Sequence, residues 1–188
     1  MTKKFTFYPG CSSEGSGKHL DKSFRAIAPK IGIELEEIED WNCCGASVGH
    51  LEGGHLGNAA LSGRNLAQAQ QQSAGQDVIT ACAACYLNTH ATNEEMRENE
   101  AFKADINEAL GAAGKSYDAE LKVRHACEVM VNDVGMDAIK EQVTNPLEGL
   151  KMAGYVGCQT VRPFAGTENG GNYDTYDKPR FLDDIIKA

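Results

Sequence analysis

Positive charge, long apolar runs and any mark of export are scarce in this sequence, and each scarcity excludes something. Lys and Arg number 18 against 27 Asp and Glu, for a formal charge of −9. A field of that sign repels phosphate backbones, so nucleic acid is not an expected partner. No apolar run approaches the roughly 18–20 residues that span a bilayer, so no transmembrane segment is expected. Lys3 and Lys4 are followed by no apolar stretch of signal-peptide length. The expectation is a soluble, cytoplasmic chain. An even cysteine count is also missing. The seven are Cys11, Cys43, Cys44, Cys82, Cys85, Cys127 and Cys158. An odd number without export disfavours a closed disulfide framework, and clustered thiols in a reducing compartment are more often metal ligands or redox groups. What remains is ordinary. The 188 residues are 41% hydrophobic and 24% charged, enough for a sizeable core and incompatible with wholesale disorder.

Short apolar runs alternate with helical periodicity along the chain. Phe5 to Tyr8 is apolar, aromatic and stopped by Pro9-Gly10, the pattern of a buried strand ending in a turn. Leu20, Phe24, Ile27, Ala28 and Ile31 recur at helical spacing and predict an amphipathic helix over about residues 17–31. Ile33 to Ile38 alternates as a strand does, and the turn Asp40 to Gly45 follows. A helix is expected over about residues 54–74, a strand at Val78–Thr80, then helices from about 84 and near 100–112. His125 to Val134 reads as a helix with Met130 and Val131 inward, Met152 to Cys158 as a further strand, and Phe181 to Ile186 as the start of a helix. The fold class is therefore α/β, a Rossmann-like, mainly parallel sheet with helices on both faces. Three cysteine groups each follow a strand. The carboxyl ends of strands in such a sheet share one edge, so groups distant in sequence converge there.

Gly157-Cys158, at the end of the last expected strand, repeats the Phe-Tyr-Pro-Gly-Cys of the N-terminus. Cys43 lies 32 positions after Cys11, and the same step from Cys158 ends two positions past the last residue. Residues 1–150 are thus expected to be one complete cysteine unit and 151–188 the start of an incomplete second, which makes this chain a fragment. Within the first unit, Cys11, Cys43-Cys44-Gly45 and Cys82-Ala83-Ala84-Cys85 supply five thiols from three loops. Two sulfurs can face one metal centre across a Cys-x2-Cys turn. Adjacent cysteines in extended backbone point apart. Cys43 and Cys44 can share a centre only if the turn is kinked, which Gly45 permits, or if the centre is larger than one ion. One structural zinc takes four ligands and leaves a cysteine over, as does an ordinary cubane [4Fe–4S] cluster. Five clustered sulfurs favour a larger or distorted iron–sulfur centre, or a cubane with a spare redox thiol. Zinc, a catalytic dithiol and inert buried thiols rank behind these.

With these residues the sequence resembles the CCG-domain (cysteine-rich) family, most closely the branch that holds the B subunits of heterodisulfide reductases. The family motif is a single Cys, a Cys-Cys-Gly and a Cys-x2-Cys at about these separations, usually present twice. Pro9-Gly10-Cys11, Gly157-Cys158 and Arg162-Pro163 match as well. The resemblance implies a non-cubane [4Fe–4S] cluster with Cys11, Cys43, Cys44, Cys82 and Cys85 as ligands. Cys158 would be the first ligand of a second cluster, if its motif is completed. It implies an oxidoreductase acting on sulfur groups, the catalytic subunit of a disulfide reductase. A small disulfide or thiol would bind between the two clusters and be split by two one-electron deliveries. The implied partners are a ferredoxin-like iron–sulfur subunit and a flavoprotein subunit of the same complex. Gln159 stands where the family commonly has His. The alternative is a CCG-domain electron-transfer or quinone-linked subunit of a succinate-, lactate- or glycolate-type dehydrogenase complex. A zinc-stabilised scaffold is a third reading.

Other residues carry weaker expectations. Cys127, in Arg124-His125-Ala126-Cys127, sits at no motif spacing and is expected to be a buried thiol outside the site. His50 and His55 flank Gly53-Gly54 and, like His90, are expected to be structural or surface histidines rather than neighbours of the site. Trp41, before the Cys pair, is expected to pack over the centre and limit its contact with water.

Overall fold

The computed structural model describes residues 2–47, 49–161, 174 and 177–188; the side chains of His50 and Glu52 are not described. Arg162 and Pro163 lie outside the described residues. Four strands form one sheet: β1 Lys3–Phe7, β2 Ile33–Glu37, β3 Val78–Thr80 and β4 Val123–His125. Their order is β2-β1-β3-β4 and every pairing is parallel. The helices are α1 Lys18–Ile27, α2 Gly49–Glu52, α3 Gly54–Gln72, α4 Ala83–Glu98, α5 Glu100–Gly111, α6 Ala126–Val129, α7 Met136–Glu141, α8 Cys158–Val161 and α9 Phe181–Lys187. The α/β reading with helices on both faces holds.

Side-chain alternation along the strands builds two cores. Phe5 and Phe7 of β1, Ile33 of β2 and Ile79 of β3 pack with Phe24 and Ala28 and with Ala126 and Val129 of α6. The rings of Phe7 and Phe24 lie 5.8 Å apart. Val78 and Val123 point the other way, onto α3, α4 and α5 through Leu66, Ala69, Met96 and Ile106. The strand order reverses direction after β2, which sends the connections to opposite faces. The register pairs Phe7 with Glu37 and with Ile79, and Thr80 with His125. The carboxyl ends of all four strands therefore finish at one level.

Three local expectations need correction. The helix over residues 17–31 splits at Ala28, because Pro29 has no N–H to continue the ladder; a 3-10 turn Ala28–Ile31 follows and Gly32 closes it at φ 78°. The stretch His125 to Val134 opens as the last residue of β4, then becomes α6 and a wide turn Met130–Val134. Val129 and Met130 are the buried pair there, and Val131 is only half-buried. Val123-Arg124-His125 lacks the continuous β-branched run that marks β3, so β4 carries no strand signal in the sequence. The strand expected over Met152 to Cys158 does not form. Residues 151–157 pair with no strand, Tyr155 is 94% exposed, and Cys158 begins the turn α8 instead. A strand needs a ladder partner, and these residues pair with neither edge strand, β2 or β4. Among the described residues, no helix is long and apolar enough to cross a membrane.

Arg124 of β4 ties the sheet to the α6 side. It bonds Glu128 and, at 2.7 and 2.9 Å, both oxygens of Asp133, which also pairs with Lys3. Arg124 first, and Lys3 after it, hold the Asp133 carboxyl at about 2 against an ordinary 3.8. The folded value is the lower one. Its stabilisation is therefore complete above the ordinary value and lost as the pH falls towards 2. We expect Asp133→Asn to lower stability at pH 7 and to flatten the decline between about pH 4 and pH 2. Urea denaturation of both proteins across that range checks it; parallel pH profiles would refute the assignment.

Candidate metal centre

Three loops leave the common edge of the sheet, and each is shaped for a close approach. After β1, Tyr8 is buried and Gly10 turns the chain at φ 74°, ψ 157°, so that Cys11 opens a 3-10 turn Cys11–Glu14. That backbone region is essentially confined to glycine. A Cβ at Gly10 would lie 2.4 Å from the Cys85 sulfur, so the first loop presses directly on the third.

The second loop, after β2, is laced to α3. Asn65, 1% exposed, grips the backbone of Asn42 from both sides: its Oδ1 accepts from Asn42 N–H at 2.8 Å and its Nδ2 donates to the Asn42 carbonyl at 2.8 Å. The Tyr8 hydroxyl donates to the same carbonyl at 2.7 Å. Arg64 donates to the Asp40 carbonyl and to the side chains of Asp40 and Asn42, holding Asp40 at the left-handed φ of 52°. Asn42 in turn donates to the carbonyls of Cys43 and Leu61. Ser62 and Asn88 donate to the carbonyl of Cys44 at 3.1 and 3.3 Å. In the third loop, Cys82 is the residue before α4 and Cys85 lies in its first turn.

The five thiols meet in two tiers. Cys11 and Cys43 form an outer pair, sulfur to sulfur 3.3 Å, with Cys11 exposed and Cys43 half-buried. Cys44 and Cys85, each 2% exposed, form an inner group with half-buried Cys82. The adjacent pair Cys43-Cys44 does point apart, one sulfur to each tier. Cys85 is the strongest influence on both inner neighbours. Its thiol first, then the N–H groups of Cys85 and Ala84 and the Ser12 hydroxyl, lower Cys82 to about 5 against the effect of burial. Cys44 is lowered to about 7, first by Cys85, then by the Ala46 N–H and the Asn88 amide. Cys85 is pushed up by the Cys44 and Cys82 sulfurs and by burial. Cys11 rises to about 11, first through its bond with Cys43. The thiols as they stand bond one another. Among the described residues no three His, Cys, Asp or Glu side chains form a group that would hold a metal ion.

The remaining candidates stand apart. Cys127 is half-buried after β4 and rises to about 11 through burial alone, with no sulfur acting on it. Cys158 is exposed on α8, which packs against α4. His55 bonds Glu95 at 2.7 Å and stacks on Phe102. His90 is buried in α4, stacked on Tyr86 at 5.2 Å. Trp41 stands edge-on to Tyr8 and lines an open cleft of about 670 Å³ that reaches Cys43. The sequence reading missed the polar frame of Asn42, Ser62, Arg64, Asn65 and Asn88. Its only sequence signal was polar residues on the α3 face opposite the Cys pair.

The approach of Gly10 to Cys85 is directly testable. We expect Gly10→Ala to cost on the order of 1–3 kcal/mol from backbone conformation, with more from the displaced sulfur. Denaturation reads the loss. Alkylation of the native protein, mapped by mass spectrometry, should find Cys85 newly reactive; a variant as stable as the parent with Cys85 still protected would refute the contact.

Comparison with known proteins agrees with this geometry. Residues 5–89 match the cysteine-rich domain family, CCG. The chain is 34% identical over 188 residues to the 8-methylmenaquinol:fumarate reductase membrane anchor subunit of Wolinella succinogenes, covering 100% of this chain and 62% of that protein. It is 31% identical over 160 residues to an Archaeoglobus profundus protein that is like the B subunit of heterodisulfide reductase, covering 85% of this chain and 53% of that one. The B subunit of the ferredoxin/F(420)H(2)-dependent CoB-CoM heterodisulfide reductase of Methanosarcina acetivorans is 25% identical over 98% of this chain and 59% of its own length. The chain thus spans less than two thirds of each of these relatives. Among solved structures, a hypothetical protein from Helicobacter pylori superposes with TM-score 0.56 at 21% identity, over 67% of this chain and 24% of that one, a likeness of fold. The five motif cysteines gathered at one sheet edge all lie in the stretch 5–89 that matches the CCG cysteine-rich domain, and the chain is similar to the B subunits of heterodisulfide reductases.

Proposed function

We propose that this chain is the iron–sulfur subunit of a heterodisulfide-reductase-like complex. The observation that carries the reading is the convergence of five cysteines from three strand-end loops. The donor set fits an iron–sulfur centre in kind and number. Soft thiolates select such metals, and one zinc would leave a sulfur over. Gly10 leaves room beside Cys85 where any side chain would intrude. Cys11, Cys43, Cys44, Cys82 and Cys85 are the proposed ligands of a non-cubane [4Fe–4S] cluster. When bound, it supplies one-electron chemistry to a small thiol or disulfide.

The protein's own part is positional and electrostatic. The Asn65–Asn42–Tyr8 frame fixes the Cys pair, the start of α4 holds Cys82 and Cys85, and Cys44 and Cys85 are kept from water. Cys43 of the outer pair lines the cleft with Trp41 and Asn42, the side a small disulfide would approach. Partners in this reading are a ferredoxin-like iron–sulfur subunit and a flavoprotein subunit, on the cytoplasmic side. Residues 151–188 would begin a second unit with Cys158 as its first ligand. Met152 and Tyr155 are 48% and 94% exposed there, and Leu150 just before them is 62% exposed, an apolar surface that a partner would cover in this reading.

The Wolinella relative, matched over the whole of this chain, favours a second reading. In it the chain is an electron-transfer subunit of a quinone-linked dehydrogenase of the succinate, lactate or glycolate type. Assaying the purified complex for disulfide reduction and for quinone-linked dicarboxylate turnover separates the two.

Anaerobic purification should give a brown, oxygen-sensitive protein with about four irons for the five-cysteine motif. Cys43→Ser and Cys44→Ser should distort or abolish its spectrum, and Cys127→Ser should leave it unchanged. One zinc per chain and no iron would sink the proposal.

A further inference from the structure

The Cys44 side chain is cupped by one turn of α4. Ala84, Cys85 and Asn88 fall at i, i+1 and i+4 and share a helix face. The Ala84 carbonyl lies 3.9 Å from the Cys44 sulfur, where it can accept from the thiol. The Cys85 thiol acts on that sulfur from the next position, favouring the Cys44 thiolate. Asn88 Nδ2 reaches it at 3.8 Å and, with the same amide, the Cys44 carbonyl at 3.3 Å. A metal-bound thiolate has no proton, so the Ala84 carbonyl then has nothing to accept. A donor keeps its value, and gains some as negative charge on the sulfur grows. With Cys85 deprotonated as well, the donors left aimed at Cys44 among the described residues are the Asn88 amide and the Ala46 backbone N–H. Of these, only the Asn88 donor belongs to a side chain.

We propose that Asn88 is a positioning residue for the redox centre, whose N–H···S hydrogen bond to Cys44 raises the reduction potential. The proposal rests on the iron–sulfur reading above. Reduction puts charge on the ligand sulfurs, and a fixed donor stabilises the reduced form more than the oxidised one. The bidentate hold on sulfur and carbonyl also fixes how Cys44 presents itself, against a surface where a mobile amide would be solvated instead. Ser62 supplies an internal comparison, because it donates at 3.1 Å to the same carbonyl and is not bonded to the sulfur.

The experiment is an anaerobic redox titration of the iron-loaded chain, followed by electron paramagnetic resonance, for the parent, Asn88→Leu, Asn88→Asp and Ser62→Ala. Asn88→Leu keeps the volume and removes the donor, so its midpoint should move to lower potential. Asn88→Asp keeps the shape and replaces the donor with an anion, so it should move further in the same direction. Ser62→Ala should stay at the parent value. Iron absent from the parent defeats the iron–sulfur reading itself. Iron present in the parent, with an unshifted midpoint in either Asn88 variant or an equal shift in Ser62→Ala, overturns the role of Asn88. If Asn88→Leu fails to load iron, Asn88→Asp decides. If both fail to load while Ser62→Ala loads normally, Asn88 is a folding residue and the proposal is wrong.

Discussion

The parallel pairing of β1 with both β2 and β3 is the constraint on which everything else rests. It brings Phe7, Glu37 and Thr80 to one level, so three loops separated by more than thirty residues in sequence start from one line. An antiparallel neighbour would have sent one cysteine group to the far edge. The constraint tightens at Gly10. The loops after β1 and β3 are close enough that a methyl group would overlap the Cys85 sulfur. The sheet sets the coarse convergence, and this one contact sets the fine distance.

The second loop has no strand neighbour on its outer side, because β2 is the edge of the sheet. Its fixation therefore falls to side chains. Each hydrogen bond in the frame is worth about 0.5–1.5 kcal/mol net. Several of them converge on Asn42 from β1, α3 and the loop itself. Asp40 in a left-handed conformation is the strain that such a frame must over-determine. Arg64 is directed at that residue.

Much of this was legible in the sequence. Apolar runs ending in Pro9-Gly10-Cys11 and in Cys82 gave the strands before their loops, and strand–helix alternation gave the parallel sheet. The divergence of Cys43 from Cys44 followed from backbone geometry alone and reappears as the two tiers. What was hidden depends on contacts across the fold. Asn65 and Asn88 look like ordinary polar helix residues until α3 and α4 are placed beside the Cys pair. β4 is three residues long and carries no pattern of its own; it exists because β3 offers it an edge. Met152 to Cys158 has the strand pattern but pairs with neither edge of the sheet, so residues 152–157 stay irregular and Cys158 opens α8.

The electrostatics of the pocket close the argument. The groups that shift the inner thiols most are other sulfurs, backbone N–H groups, a hydroxyl and an amide. The charged side chain of Arg64, which reaches the loop before the Cys pair, is committed to Asp40. The whole chain carries −9. Neutral dipoles favour the thiolate most at Cys82, lowered to about 5, and less at Cys44, lowered to about 7. They cannot settle five in a pocket where Cys44 and Cys85 are shut from water. Full deprotonation of this site needs positive charge that the described side chains do not bring to it. The iron–sulfur centre proposed above would supply that charge at both tiers.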